Sequence, residues 1–244
     1  MKKVILLLLV LCGRISVKAQ QGLTIDEEKS SYAFIKDEDG FANIRCAPSN
    51  TALITGRIVK YQMFMVQPNK TSWWKVLQVL HDKDYKTDFL EGYIHKSRVS
   101  ILPKSKPKIK VRSITADSCT LKIDNFTITV NKKTFDPKKH KLLNKGQDRL
   151  LIDGKGFWGT DGTVPTEMIT SVKIIKNGET IILPKTAYSD CYEPLLETLQ
   201  ICYGPENTFY LSMSNVNNAA GGYLVFWIFK NNKYYSRYID NSLD

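Results

Sequence analysis

The sequence predicts a mainly β fold that is divided into two domains. Residues 120–124 and 126–131 alternate apolar and polar side chains with a period of two, which is typical of half-buried strands. Asn177 and Gly178 lie between two further segments rich in β-branched residues, and this dipeptide is a strong hairpin signal. Because 244 residues leave room for two ordinary domains, two are expected.

The first nineteen residues have the features of a secretory signal peptide. Lys2 and Lys3 give a positive start, residues 4–11 form an uninterrupted apolar run, and Ala19 ends a small-residue cleavage site. A membrane anchor is the alternative, but such a run spans only about 12 Å at ~1.5 Å per helical residue, against a bilayer core of about 30 Å. We therefore expect a periplasmic or secreted protein that is cleaved near Ala19.

The segment before Cys12 is similar to the lipobox of bacterial lipoproteins. A leucine stands where that motif has a small residue, and the apolar run in front of Cys12 is short. Lipidation at Cys12 is therefore disfavoured. No transmembrane segment is expected once residues 1–19 are removed.

The chain is basic, with a net charge of +11. Removing residues 1–19 leaves 31 basic and 24 acidic side chains, so the mature chain carries +7. A basic surface attracts polyanions, but exported proteins seldom meet nucleic acid. The charge thus favours cell-envelope partners and argues against nucleic acid.

Four cysteines remain after cleavage, namely Cys46, Cys119, Cys191 and Cys202. In an oxidising compartment they allow three connectivities. Cys191 and Cys202 are the closest in sequence, so a Cys191–Cys202 disulfide is the preferred pairing. Free, buried cysteines are the alternative.

Residues 20–30 are polar and acidic, without apolar periodicity, and are interpreted as a flexible lead-in. From residue 39 to residue 102 a defined order of turns, strands and aromatics follows: Asp-Gly-Phe-Ala-Asn-Ile-Arg-Cys, Ile-Thr-Gly-Arg-Ile, Ser-Trp-Trp-Lys-Val and Gly-Tyr-Ile-His-Lys-Ser-Arg-Val. This order, over about a quarter of the chain, resembles a bacterial SH3 domain. The resemblance implies a small SH3-like β-barrel, at residues 31–102, that is used for binding.

The pair Trp73-Trp74 assigns the faces of one barrel strand, because adjacent strand residues point to opposite sides. Lys75 shares a side with Trp73, whereas Val76 shares a side with Trp74. Since an unpaired lysine is costly to bury, Trp74 and Val76 are predicted to point inward and Trp73 outward.

The same alternation places Ile94 inside the barrel and puts Tyr93 and His95 outside. An exposed tryptophan near an exposed tyrosine forms a flat platform that suits peptide or glycan ligands. Alternatively, these rings cover the interface with the second domain. The strand of residues 42–45 corresponds to the segment that SH3-like bacterial domains place beside their binding groove. The predicted ligand-binding residues are Asn43, Arg45, Trp73, Tyr93 and His95.

Residues 103–112 hold two prolines and five basic side chains and are predicted to be an extended basic linker. Residues 113–244 would then form a second, antiparallel β-rich domain. Within it, residues 223–229 are apolar on both faces and should form a central strand, whereas only residues 187–200 could hold a short helix. Residues 159–190 loosely resemble uncharacterised exported proteins of the Bacteroidetes type.

Strings that resemble catalytic motifs lack the context which their chemistry needs. Residues 154–159 match G-x-G-x-x-G, but a turn sequence follows them where a dinucleotide site requires a helix. Asp190-Cys191 is similar to the start of the NlpC/P60 peptidase motif, but no histidine base follows His140. The three histidines have no metal-ligand spacing. No catalytic residue, metal or cofactor is therefore predicted.

These observations favour an exported, non-enzymatic protein whose SH3-like domain binds an envelope ligand, either a peptidoglycan peptide or a protein. One alternative is a periplasmic immunity or inhibitor protein that acts through its C-terminal domain. The other is a cell-wall hydrolase that uses a pair of carboxylates not recognisable from sequence.

Overall fold

The computed structural model describes residues 29–82, 84–103, 107, 109–144, 150–216 and 221–242. The regular secondary structure in these ranges is almost wholly β-strand, so the predicted mainly β class is confirmed. The predicted signal peptide, Cys12 and most of the lead-in lie outside the described residues. The strands are β1 (Ser31–Ile35), β2 (Phe41–Arg45), β3 (Ile54–Val59), β4 (Phe64–Gln67), β5 (Trp73–His81), β6 (Thr87–His95), β7 (Val99–Ile101), β8 (Val111–Ile114), β9 (Ser118–Ile123), β10 (Phe126–Thr134), β11 (Leu142–Asn144), β12 (Leu150–Ile152), β13 (Glu167–Lys176), β14 (Glu179–Ile182), β15 (Gln200–Tyr203), β16 (Thr208–Ser214), β17 (Leu224–Lys230) and β18 (Lys233–Asp240). Short 3₁₀ turns occupy Lys96–Arg98, Pro137–Lys139, Lys185–Ala187 and Leu196–Thr198.

The N-terminal sheet joins seven strands in the order β3-β2-β6-β5-β4-β1-β7. Alternate residues from all seven strands meet in one hydrophobic cluster, so the sheet curls around its own core. Val76 and Ile94 are fully buried in this cluster, and Trp74 packs against it. The inward orientation predicted for these three side chains is thus confirmed, whereas membership of the SH3-like class stays a prediction.

The C-terminal half is a sandwich of two antiparallel sheets. The outer sheet has the order β14-β13-β10-β9-β8, and the middle sheet has the order β15-β16-β17-β18. Their facing side chains form one cluster, which includes Leu121 and Val172 from the outer sheet and Leu211 and Trp227 from the middle sheet. Each Å² of apolar surface that is buried contributes about 25 cal/mol to the free energy of folding. This cluster is therefore the main stabilising contact of the half.

The second face of the middle sheet packs against the N-terminal sheet. Tyr32 lies 4.7 Å from Phe226 between ring centroids, and Phe34 stacks on Tyr210 at 5.7 Å. The Tyr32 hydroxyl also donates to the Asp240 carboxylate at 2.8 Å. The molecule therefore has three layers, and β17 is apolar on both sides, as predicted for the central strand at residues 223–229.

Two tight turns follow the sequence signals. Asn177 and Gly178 both have positive φ angles, 52° and 83°, and connect β13 to β14. Asn231 and Asn232, at 49° and 59°, connect β17 to β18 in the same way. Positive φ at both central residues matches the right-handed twist of the flanking strands, which is why asparagine and glycine are found there.

The expected disulfide between Cys191 and Cys202 is wrong, because the structure does not form it. Cys191 belongs to the cluster between the outer and middle sheets, whereas Cys202 packs on the opposite face of the middle sheet. Their side chains are therefore separated by the backbone of that sheet. Proximity in sequence does not reveal which face each residue occupies.

The structure also differs from the sequence predictions at the end of the linker and in the region expected to hold a helix. β8 begins at Val111, so the end of the predicted basic linker already pairs with β9. In residues 187–200, the region expected to hold a short helix, the structure has only the 3₁₀ turn Leu196–Thr198. No described segment forms a helix long and apolar enough to cross a membrane.

Candidate functional site

The five predicted binding residues share the outer face of β2, β6 and β5. Arg45 pairs with Tyr93 across β2 and β6, and Trp73 pairs with His95 across β5 and β6. Asn43 lies two positions before Arg45 and so faces the same side. All five are partly exposed. Alternation thus brings them together into one surface, which we call the outer patch.

Local contacts hold the outer patch in shape. Arg45 Nη1 donates to the Ala52 carbonyl at 2.6 Å, which orients the guanidinium along the β2–β3 loop. The Trp73 and His95 rings meet edge to face at 5.3 Å. His95 Nδ1 lies 2.7 Å from Ser97 Oγ, at the start of the 3₁₀ turn. Because a guanidinium has five N–H donors, the Ala52 bond fixes Arg45 without exhausting its donors.

A glycine allows β2 and β6 to approach each other beneath the outer patch. Gly92 has a φ of 155°, and a Cβ at this position would lie 2.5 Å from the Arg45 carbonyl oxygen. The single residue pair that joins β2 to β6 is Arg45 with Tyr93, directly beside this glycine. Gly92 therefore determines how closely Arg45 and Tyr93 are held.

The outer patch lies apart from the contact with the middle sheet. On the N-terminal sheet that contact uses Tyr32, Phe34, Tyr61, Met63 and Val79, and none of the five patch residues belongs to it. The outer side of the β5–β6 hairpin thus has two parts. The part toward the hairpin tip packs on the C-terminal half, and the part at Trp73 and Tyr93 does not join that cluster.

A second candidate site is a cleft between the N-terminal sheet and β18, which the sequence did not predict. The cleft has a volume of about 540 Å³. Tyr61, Gln78 and His81 line it from the N-terminal sheet, and Ser236 and Tyr238 line it from β18. Its size falls within the roughly 300–1,000 Å³ of small-molecule pockets.

A largely buried ion pair lies beside the cleft, whose wall includes Arg237. Arg237 contacts both carboxylate oxygens of Asp190 through its two Nη atoms, and these side chains are 23% and 10% exposed. Tyr85, from the tip of the β5–β6 hairpin, donates its hydroxyl to Asp190 Oδ2 at 2.8 Å. Burial, with the nearby Asp190 charge, raises the pKa of Tyr85 well above its usual range. The hydroxyl therefore stays protonated and anchors the hairpin to the C-terminal half.

Cys191, next to this ion pair, is not a reactive thiol. Its side chain is 1% exposed, and burial followed by the Asp190 charge raises its pKa far above the ordinary value. A thiolate is the nucleophilic form, so a thiol held protonated in the core is inert.

Two aromatic side chains in the wall of the cleft have buried nitrogen atoms without hydrogen-bond partners. The His81 and Trp158 rings lie 4.4 Å apart. His81 Nε2 lies 3.1 Å from the Ile239 carbonyl, which can only accept, so Nε2 carries the proton and Nδ1 is an acceptor when the ring is neutral. Nδ1 of His81 and the Nε1–H of Trp158 are both unpaired. One buried acceptor thus lies close to one buried donor.

His81 is expected to make folding stability depend on pH. Burial lowers its pKa below 6.5, although the Ile239 carbonyl and Asp240 oppose this shift, while Arg237 adds to it. Because the unfolded chain then binds the proton more readily, stability should be complete above about pH 6.5 and should fall as the pH drops toward the folded pKa, by at most about 1.4 kcal/mol per pH unit.

Thermal unfolding between about pH 7.5 and pH 5 checks this expectation, since both limits bracket the ordinary histidine pKa. His81→Gln should have a flatter profile than the wild type. His95→Gln, on the outer patch, is the comparison variant, because it removes a histidine that lies outside the cleft. An unchanged slope in His81→Gln would contradict the assignment.

Other site types find little support in the described part of the chain. No group of three or more His, Cys, Asp or Glu side chains there could hold a metal ion. The G-x-G-x-x-G string at residues 154–159 leads into bends through residue 163, not into a helix. No protein-family model, no curated protein and no solved structure matches this chain.

Proposed function

We propose that this chain is an exported binding protein, not an enzyme, whose outer patch binds a cell-envelope ligand of peptide character. The supporting observation is that two cross-strand pairs, Arg45 with Tyr93 and Trp73 with His95, lie next to each other on one side of the sheet. Aromatic side chains and arginine are the groups that most often dominate binding energy at interfaces. The ligand is a stem peptide of the cell wall or an envelope protein.

The charge of the outer patch supports a ligand that carries carboxylates. Lys75 pairs with Tyr93 on β5, so Arg45, Tyr93 and Lys75 form one row across three strands. The Arg45 guanidinium beside a flat ring suits a peptide with acidic groups, because guanidinium and carboxylate form charge-assisted hydrogen bonds. The rings would supply the apolar contact, and Arg45 would orient the ligand.

Sedimentation with purified peptidoglycan sacculi tests this proposal. Trp73→Ala and Tyr93→Ala should each weaken binding roughly tenfold, which corresponds to ~1.4 kcal/mol. Both side chains lie outside the core clusters, so thermal unfolding should change little. Tyr235→Ala is the matched control, because Tyr235 is a 54% exposed aromatic on β18 and its loss should leave binding intact.

The same experiment separates the two ligand types. If the wild-type protein does not sediment with sacculi, the cell-wall peptide is rejected. Pull-down from envelope extract with the wild type and with Trp73→Ala then tests the protein ligand. A partner retained equally by both would reject the outer patch as the binding surface.

A further inference from the structure

The cleft between the N-terminal sheet and β18 combines aromatic walls with uncharged polar groups. Tyr61, Trp158 and Tyr238 supply rings, and Gln78 and Ser236 supply amide and hydroxyl groups. An aromatic ring has a flat apolar face and, in tyrosine and tryptophan, a polar edge. A pyranose has the same division, with C–H bonds on its faces and hydroxyl groups around its rim.

The charges around the cleft oppose an anionic ligand. Arg237 is the cation at its wall, and this guanidinium is already paired with Asp190. Asp82, at the rim, adds a carboxylate. Among the side chains that line the cleft, a phosphate or carboxylate would therefore meet no unpaired Lys or Arg and would be repelled by Asp82, whereas an uncharged ligand would avoid both effects.

The unpaired nitrogens of His81 and Trp158 point to a hydroxyl-bearing ligand. Trp158 is 8% exposed, and leaving its buried N–H without an acceptor costs about 1–3 kcal/mol. The neighbouring His81 Nδ1 is a buried acceptor without a donor. A hydroxyl group is at once a donor and an acceptor, so it matches the chemistry of both this unpaired acceptor and this unpaired donor.

We propose that this cleft is a second binding site, which accepts a neutral saccharide against its aromatic lining. It is independent of the outer patch, since the two surfaces share no residue. Bound sugar would contact the N-terminal sheet and β18 together. Binding should therefore also raise the thermal stability of the whole chain.

Isothermal titration and tryptophan fluorescence with N,N′-diacetylchitobiose, cellobiose and maltose test the proposal. Each sugar is added to about 10 mM, a concentration that reveals millimolar affinity. At least one should bind and change the fluorescence of Trp158. Trp158→Phe keeps a ring but removes the N–H, and should weaken that binding about fivefold to tenfold.

Two further variants keep the test decisive if Trp158→Phe folds poorly. Ser236→Tyr places a large side chain at the cleft wall and should abolish sugar binding. Trp73→Phe, on the outer patch, should bind sugar as the wild type does. Three results would overturn the proposal: none of the three sugars binds, binding survives both cleft variants, or inorganic phosphate binds more tightly than any of them.

Discussion

Asp190→Ala is expected to lower the free energy of unfolding by about 3 kcal/mol, because it leaves the partly buried Arg237 guanidinium without its counter-charge. The same change removes the acceptor of the Tyr85 hydroxyl, so the tip of the β5–β6 hairpin loses its anchor. The two effects act on one network, which connects a hairpin of the N-terminal sheet to β18. Urea unfolding followed by tryptophan fluorescence measures the loss.

Two further variants serve as controls for Asp190→Ala. Lys60→Ala breaks the Lys60–Glu206 pair, whose side chains are 22% and 51% exposed, and should cost no more than about 1 kcal/mol. The double variant Asp190→Leu with Arg237→Met replaces both charges and should recover much of the loss. If Asp190→Ala costs as little as Lys60→Ala, the buried pair does not hold the two halves together.

Gly92→Ala is expected to destabilise the N-terminal sheet by at least about 2 kcal/mol and to weaken ligand binding at the outer patch. The new Cβ would lie 2.5 Å from the Arg45 carbonyl oxygen and 2.8 Å from Ile44 Cγ2, and one of these contacts is with backbone, which cannot rotate away. β2 and β6 must therefore separate. Arg45 and Tyr93, which pair at this point, would move apart.

Gly40→Ala is the control for the backbone conformation alone. Gly40 also has a positive φ, 78°, but no atom lies within 4 Å of a Cβ built there. Its substitution should cost only about 1 kcal/mol, from the strained φ. Equal losses for the two variants, or full sacculus binding by Gly92→Ala, would show that the close approach of β2 and β6 does not shape the outer patch.

The local features of this fold could be predicted because their causes are local. A period of two fixes which side of a strand each residue occupies, which is why Trp74, Val76 and Ile94 were assigned to the core. The Asn177-Gly178 turn follows from the positive φ that these residues tolerate. The shared face of Trp73, Tyr93 and His95 has the same origin.

The cleft could not be predicted because it depends on contacts between distant segments. Tyr85 and Asp190 are 105 positions apart, and His81 meets Ile239 across 158 positions. No pattern in a single sequence states which sheet packs on which. The error with Cys191 and Cys202 is of the same kind, since it required knowing that a sheet lies between them.

The middle sheet is covered on both faces, and this limits how the chain can be divided into fragments. The outer sheet covers one face of the middle sheet, and the N-terminal sheet covers the other. This second face carries Tyr210, Phe226, Ile228 and Tyr238. A fragment that begins at residue 113 would expose this second face to water as a contiguous apolar patch, the kind of surface that drives self-association. The N-terminal sheet thus serves the C-terminal half as an intramolecular solubilising cover.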